Sequence, residues 1–145
     1  RKYKLVAGSS EGSTLLNAFD GALLAAGAGN LNLLRVSSIL PPGAIFDELM
    51  TISPGNLVPV AYGSIAGDVP GTTLLAVGIP VDNSFGMIME LSGEFDKIIA
   101  EDRIRQMVQE AFAMRNKPLG AFRVVSVEHS VKNIGCAFAG VLLWY

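Results

Sequence analysis

The chain has 145 residues, half of them apolar and 17% charged, with a formal net charge of -2. That supports one domain with a well-buried core and leaves no room for two independent ones. Its 11 basic residues stand against 13 acidic ones and form no cluster, so the cationic footprint that a polyanion requires is missing and nucleic acid is not expected as a partner.

Apolar runs such as Ile134 to Tyr145 fall short of the roughly 20 residues of a membrane helix and are rich in Gly, Ala and β-branched types. They read as buried strands, and no membrane segment is expected. The opening Arg1-Lys2-Tyr3-Lys4 is not followed by the apolar region and small-residue cleavage site of a signal peptide. The single cysteine, Cys136, cannot form an internal disulfide, which points to a cytoplasmic setting and a buried hydrophobic role. So high an apolar fraction in a short chain also implies that part of the surface is covered in an oligomer.

In chain order, Tyr3 to Ala7 predicts a strand that ends in the turn-like Gly8-Ser9-Ser10-Glu11-Gly12. A helix follows from Thr14, with Leu15, Phe19, Leu23 and Ala26 on one face, Ser13 or Thr14 as cap, and Gly27 or Gly29 as terminator. Asp20 lies on the flank of that face. Asn30 to Val36 alternates as a half-buried strand and runs directly into Ser37-Ser38. Pro41-Pro42-Gly43 then forbids regular pairing, and a surface excursion to about Asn56 is expected.

Three strands are predicted at Leu57 to Ile65, Thr72 to Ile79 and Phe85 to Leu91. Lys97 to Met114 predicts a second helix, with Ile98, Ile104, Met107, Val108, Ala111 and Phe112 as its buried stripe and Pro118 closing it. Phe122 to Val131 and Ile134 to Trp144, separated by Lys132-Asn133, predict a final hairpin. This order favours an α+β fold, a layered αββα-type sandwich in a single domain, over an alternating parallel one.

Several chemistries are excluded. Gly27-Ala28-Gly29-Asn30-Leu31-Asn32 ends a helix instead of opening one and has Asn32 in place of the third glycine of a dinucleotide fingerprint. No glycine-rich loop ends in Lys-Ser or Lys-Thr. One His and one Cys cannot furnish a zinc shell, so no metal is expected. His129 would have to serve any Ser-His-Asp site, and a polar residue near a strand end is the favoured reading for it.

What remains is Arg35-Val36-Ser37-Ser38-Ile39-Leu40-Pro41-Pro42. Together with LVAGSSEG, LNAFDGALL, GNLNLLRVSSILPP, LVPVAYG, GMIME, VEHSV and the terminal GCAFAGVLLWY, it resembles the pyruvoyl-dependent arginine decarboxylases over nearly the whole chain. The resemblance implies that Ser38 Oγ attacks the Ser37 carbonyl, and that elimination and hydrolysis then leave Ser38 as a pyruvoyl group. Residues 1–37 would become a β chain and residues 38–145 an α chain. The pyruvoyl group would take the substrate amine as a Schiff base and accept the electrons left by departing CO2.

The same resemblance implies a task for each of several residues. Asn32 would assist self-processing, where the pattern alone reads an outward polar residue on a strand. Glu90 would return the proton to carbon; its apolar neighbours Met87, Ile88, Met89 and Leu91 suggest poor solvation, and a surface-facing acid is the other reading. Asp20 would accept the guanidinium of L-arginine, where periodicity reads a solvated acid, and Gly29 and Leu31 would line the same pocket. The product would be agmatine, serving polyamine synthesis or acid resistance, and the pocket would lie between subunits of a trimer of αβ units, with trimers pairing to hexamers. The alternatives are a pyruvoyl decarboxylase of another amino acid and a non-catalytic oligomeric ligand-binding protein that is never cut.

Overall fold

In the computed structural model, which describes residues 1–145, the strand β9 (Gly135–Trp144) is buried along nearly its whole length. Its pleat explains how. Cys136, Phe138 and Leu142 join one apolar cluster, while Ala139, Val141 and Leu143 join another on the opposite face. A strand with two apolar faces must have packing partners on both.

One partner is α1 (Leu15–Ala25), whose Ala18, Ala22 and Leu23 meet β9, β1 (Lys2–Glu11) and β5 (Leu57–Gly67). Thr14 caps this helix, its hydroxyl accepting the Asn17 N–H at 3.1 Å, and Gly27 ends it at a φ of +82°. Leu15, expected on the buried face, is 57% exposed in the first turn, and burial begins at Ala18.

The strands form two sheets. The first has the order β2 (Asn32–Arg35), β5, β9, β1, β4 (Ile45–Phe46). The second runs β3 (Ile39–Leu40), β7 (Gly86–Gly93), β6 (Gly71–Pro80), β8 (Leu119–His129). A cluster containing Tyr3, Ala61, Val141, Leu75, Val77 and Ile88 draws on strands of both sheets. On the other side of β6, Leu74 and Ala76 meet Ile104, Val108 and Phe112 of α2 (Lys97–Ala113). The domain is therefore α+β, with two helices and two sheets.

Four further expectations change. β8 and β9 are not a hairpin: β8 pairs with β6 and β9 lies between β5 and β1, so residues 130–134 carry the chain from one sheet to the other. That crossing is pinned by Glu11, whose Oε1 accepts the N–H groups of Lys132 and Asn133 at 3.0 and 2.9 Å. Ile98 is 74% exposed on the first turn of α2, outside the buried stripe. Helix α2 is ended by Asn116 at φ 50°, two residues before Pro118. The excursion to Asn56 contains β3 and β4, short enough to coexist with the prolines.

Candidate active site

The segment 36–38 passes from the first sheet to the second. Arg35, the last residue of β2, pairs with Val60 of β5, and the Val36 N–H donates to the Val60 carbonyl at 2.9 Å. Two residues later the Ser38 carbonyl accepts from the Ile88 N–H at 2.8 Å, and β3 continues along β7 with Ile39 opposite Met87. The Ser37–Ser38 bond thus lies between two anchored ends. Ser37 itself is exposed and makes no hydrogen bond with the protein, whereas Ser38 is half-buried.

Pleat parity on β7 decides where Glu90 sits. Met87, Met89 and Leu91 face the α2 cluster, while Ile88 faces the first sheet. Glu90 shares the Ile88 face and approaches Gly63 of β5, where a β-carbon would stand 3.2 Å from Glu90 Cβ. The methionines and Leu91 therefore do not desolvate it, contrary to the local reading; the facing sheet does. Burial pushes the Glu90 carboxyl above the ordinary glutamate value, against the opposing pull of the Arg35 charge and hydrogen bond.

Arg35 Nη2 donates to Glu90 Oε1 at 3.0 Å and to the Tyr62 carbonyl at 2.8 Å, and its Cζ lies 4.3 Å from the Tyr62 ring centroid. With side chains 56% and 38% exposed, the ion pair contributes at most about 1 kcal/mol. Arg35, Val36, Ser37, Ser38, Ile88, Met89 and Glu90 together line a pocket of about 350 Å³. Arg35 was not anticipated as part of a site. The available signal was a lone guanidinium three residues before Ser38 in an otherwise apolar stretch.

The structure brings Ser37, Ser38 and Glu90 together and leaves the other expected residues outside this pocket. Asn32 is exposed, and its Nδ2 donates to the Gly55 carbonyl at 2.8 Å. Asp20 is exposed on α1 without an ion-pair partner. Gly29 packs under Leu24, where a β-carbon would clash at 2.5 Å, and Leu31 lines a separate hollow of about 190 Å³ with Lys4, Met50 and Leu142.

A larger cleft of about 410 Å³, lined by Glu94, Asp96, Lys97, Glu128 and His129, contains none of them. His129 ends β8 and bonds Glu11 at 2.5 Å, so it ties strand ends together. Cys136 is buried and its thiol is pushed up to about 11 by desolvation, so it is no nucleophile.

What the pocket offers is a polarisable backbone bond flanked by a hydroxyl, and one poorly solvated acid. Comparison with known proteins is consistent with that arrangement. The family model described as pyruvoyl-dependent arginine decarboxylase matches residues 2–144. A protein of that name from Methanocaldococcus jannaschii is 52% identical over 97% of this chain and 88% of its own length. Those from Thermococcus kodakarensis and Pyrococcus horikoshii are 42% and 41% identical, covering 91% and 95% of the relatives' lengths. Matched from one end to the other and more than half identical to one such relative, the chain belongs to the pyruvoyl-dependent arginine decarboxylase family.

Proposed function

We infer that this protein decarboxylates L-arginine to agmatine and CO2 after cutting itself between Ser37 and Ser38. The observation that carries the reading is that Ser37, Ser38 and Glu90 line one pocket in a chain of this family. Ser38 Oγ attacks the Ser37 carbonyl, and the amide becomes an ester. Elimination across Cα–Cβ of residue 38 releases Ser37 as a carboxylate that keeps the former Ser38 oxygen; one water then replaces the residue's nitrogen, which leaves as ammonia. The products are a β chain, 1–37, and an α chain, 38–145.

A pyruvoyl group suits residue 38, because the Ile88 N–H and the pairing of β3 with β7 hold the downstream end after the upstream bond is lost. That group supplies the electron sink for the carbanion formed when CO2 departs. Glu90 holds a proton on its carboxyl for return to carbon, which its raised affinity for protons favours. Asp20 accepts the substrate guanidinium, and Gly29 and Leu31 shape the surface beside it. Asn32 assists processing as a donor to the Ser37 carbonyl, which has no protein donor within one uncut chain.

Asp20, Gly29, Leu31 and Asn32 join the pocket when a neighbouring subunit provides them, in a trimer of αβ units that can pair to a hexamer. Exposed Leu15, Leu16 and Leu24 of α1, with Leu34 and Leu57, provide apolar surface for that contact. The helix and sheet contacts support an αββα layering. No helix is long and apolar enough to cross a membrane. A cytoplasmic enzyme of polyamine synthesis or acid resistance fits these properties.

Mass spectrometry of the purified protein, with and without arginine, tests the reading. Two fragments with a pyruvoyl end at residue 38, and agmatine formed from arginine, are expected. A persistent full-length chain would favour a non-catalytic binding protein, and turnover of a different amino acid would reassign the substrate.

A further inference from the structure

The pocket poses a problem for a proton donor. Glu90 is paired at 3.0 Å with a guanidinium, a contact that works against the burial favouring its protonated form, yet a donor must hold its proton. Elements packed around it add no competing charge: β6 presents Leu75 opposite Glu90, β5 presents Gly63 with the Tyr62 ring turned toward Phe19, Phe138 and Arg35, and Ser92 is neutral. Arg35 is the one charged group acting on Glu90.

Arg35 also has unused capacity. Nη2 serves both Tyr62 and Glu90, while the Nε and Nη1 hydrogens have no acceptor in the protein. Ser37, two residues away and lining the same pocket, is likewise unbonded. Given the cleavage proposed above, on which this inference rests, the break leaves a carboxylate on Ser37. The backbone upstream stays anchored through the Val36 N–H at Val60, so the new chain end remains within about 7 Å of the Arg35 backbone. A carboxylate so tethered competes at high effective concentration for a partly exposed ion pair.

We propose that Arg35 is a positioning residue with two successive partners, Glu90 in the uncut chain and the Ser37 carboxylate in the cut one, so that breaking the backbone releases Glu90 to carry the proton. No acid is freed until the chain end that replaces it exists. Processing and acquisition of the catalytic protonation state thereby become one event.

The test is a titration followed by carbon-13 resonance of the Glu90 carboxyl, comparing Ser38→Ala protein, which stays uncut, with cut wild-type protein. The expected midpoint is higher in the cut protein by about one pH unit or more. The Arg35 guanidinium nitrogen resonance, read on the same samples, should follow Glu90 in the uncut protein and, in the cut one, a chain-terminal carboxylate that its new partner holds below the ordinary terminal value of about 3.5. Equal Glu90 midpoints, or an Arg35 signal that still follows Glu90 after cutting, would overturn the exchange while leaving the decarboxylase reading intact. A wild-type chain that mass spectrometry finds uncut would overturn both.

Discussion

Gly63 stands so close to Glu90 that a β-carbon on it would lie 3.2 Å from the Glu90 β-carbon and 3.2 Å from Ser92 Oγ. The missing side chain keeps room for the acid between two packed sheets. Gly63→Ala should displace Glu90 by a few tenths of an ångström and lower kcat about tenfold, with cleavage at Ser37–Ser38 unaffected. Steady-state rates and a denaturing gel on the same preparation check both halves; an unchanged kcat would mean that Glu90 does not need its present position.

Removing the acid itself has a sharper signature. Glu90→Gln should still be cut into two fragments but lose about 10²- to 10⁴-fold in turnover. Because burial raises the Glu90 proton affinity, the protonated donor persists above the ordinary glutamate range and is lost as pH rises through the shifted value. Wild-type activity should therefore fall on that alkaline side, and the limb should be absent from the residual activity of the variant. A limb that survives in Glu90→Gln belongs to another group.

Asp20 is exposed on α1 and takes no part in holding the fold together. Asp20→Ala should melt and cleave as wild type does, yet lose about 10- to 100-fold in kcat/KM for arginine, the value of a charge-assisted hydrogen-bonded contact. Undiminished arginine turnover would remove the guanidinium assignment.

The crossing from β8 to β9 makes stability depend on acid. Hydrogen bonds from the Asn133 backbone and from His129 hold the Glu11 carboxyl below its ordinary value of 4.5. A lowered value in the folded state means stabilisation that is present above 4.5 and lost as pH falls through the lowered value. The melting temperature should drop over that range in wild type and less in Glu11→Gln, as calorimetry across pH will show.

Two positions of the predicted α2 stripe, one buried as expected and one exposed, give a stability contrast. Phe112, at 1% exposure, should cost about 3–5 kcal/mol as Phe112→Ala. Ile98, at 74%, should cost no more than about 0.5 kcal/mol as Ile98→Ala. Urea unfolding with comparable slopes measures both, and a large Ile98 effect would indicate that a neighbouring subunit covers it.

Helix α2 and the buried strand β9 were legible because their patterns are local: a 3.6-residue stripe in one, an unbroken apolar run in the other. Pairing was not. Lys132-Asn133 looks like a hairpin turn in isolation, and only the distant partners of β8 and β9 make it a passage between sheets, held by Glu11 more than a hundred residues away. The same holds at the pocket. The blocks around Ser37-Ser38 and Glu90 identified them as candidates, but the side of β7 on which Glu90 lies depends on register with β3 and β6, and the contact with Arg35 depends on β2 lying beside β5. Leu15 and Ile98 were misjudged because helix periodicity does not reveal where the supporting sheet ends.

The place of the Ser37–Ser38 bond has a consequence for the life history of the molecule. Upstream of it lie β1, α1 and β2; downstream lie β5, β9 and β4, with β2 paired beside β5 and β1 held between β9 and β4. Ten consecutive residue pairs join β1 to β9 alone. A cut there severs the covalent path without loosening the weave, so the two pieces stay interlocked as long as the domain is folded. Once melted, they would have to find each other as separate molecules, and a reaction that was intramolecular at birth becomes dependent on concentration. Such a protein would have a single privileged folding, before maturation, and its mature form would hold together by memory of that event.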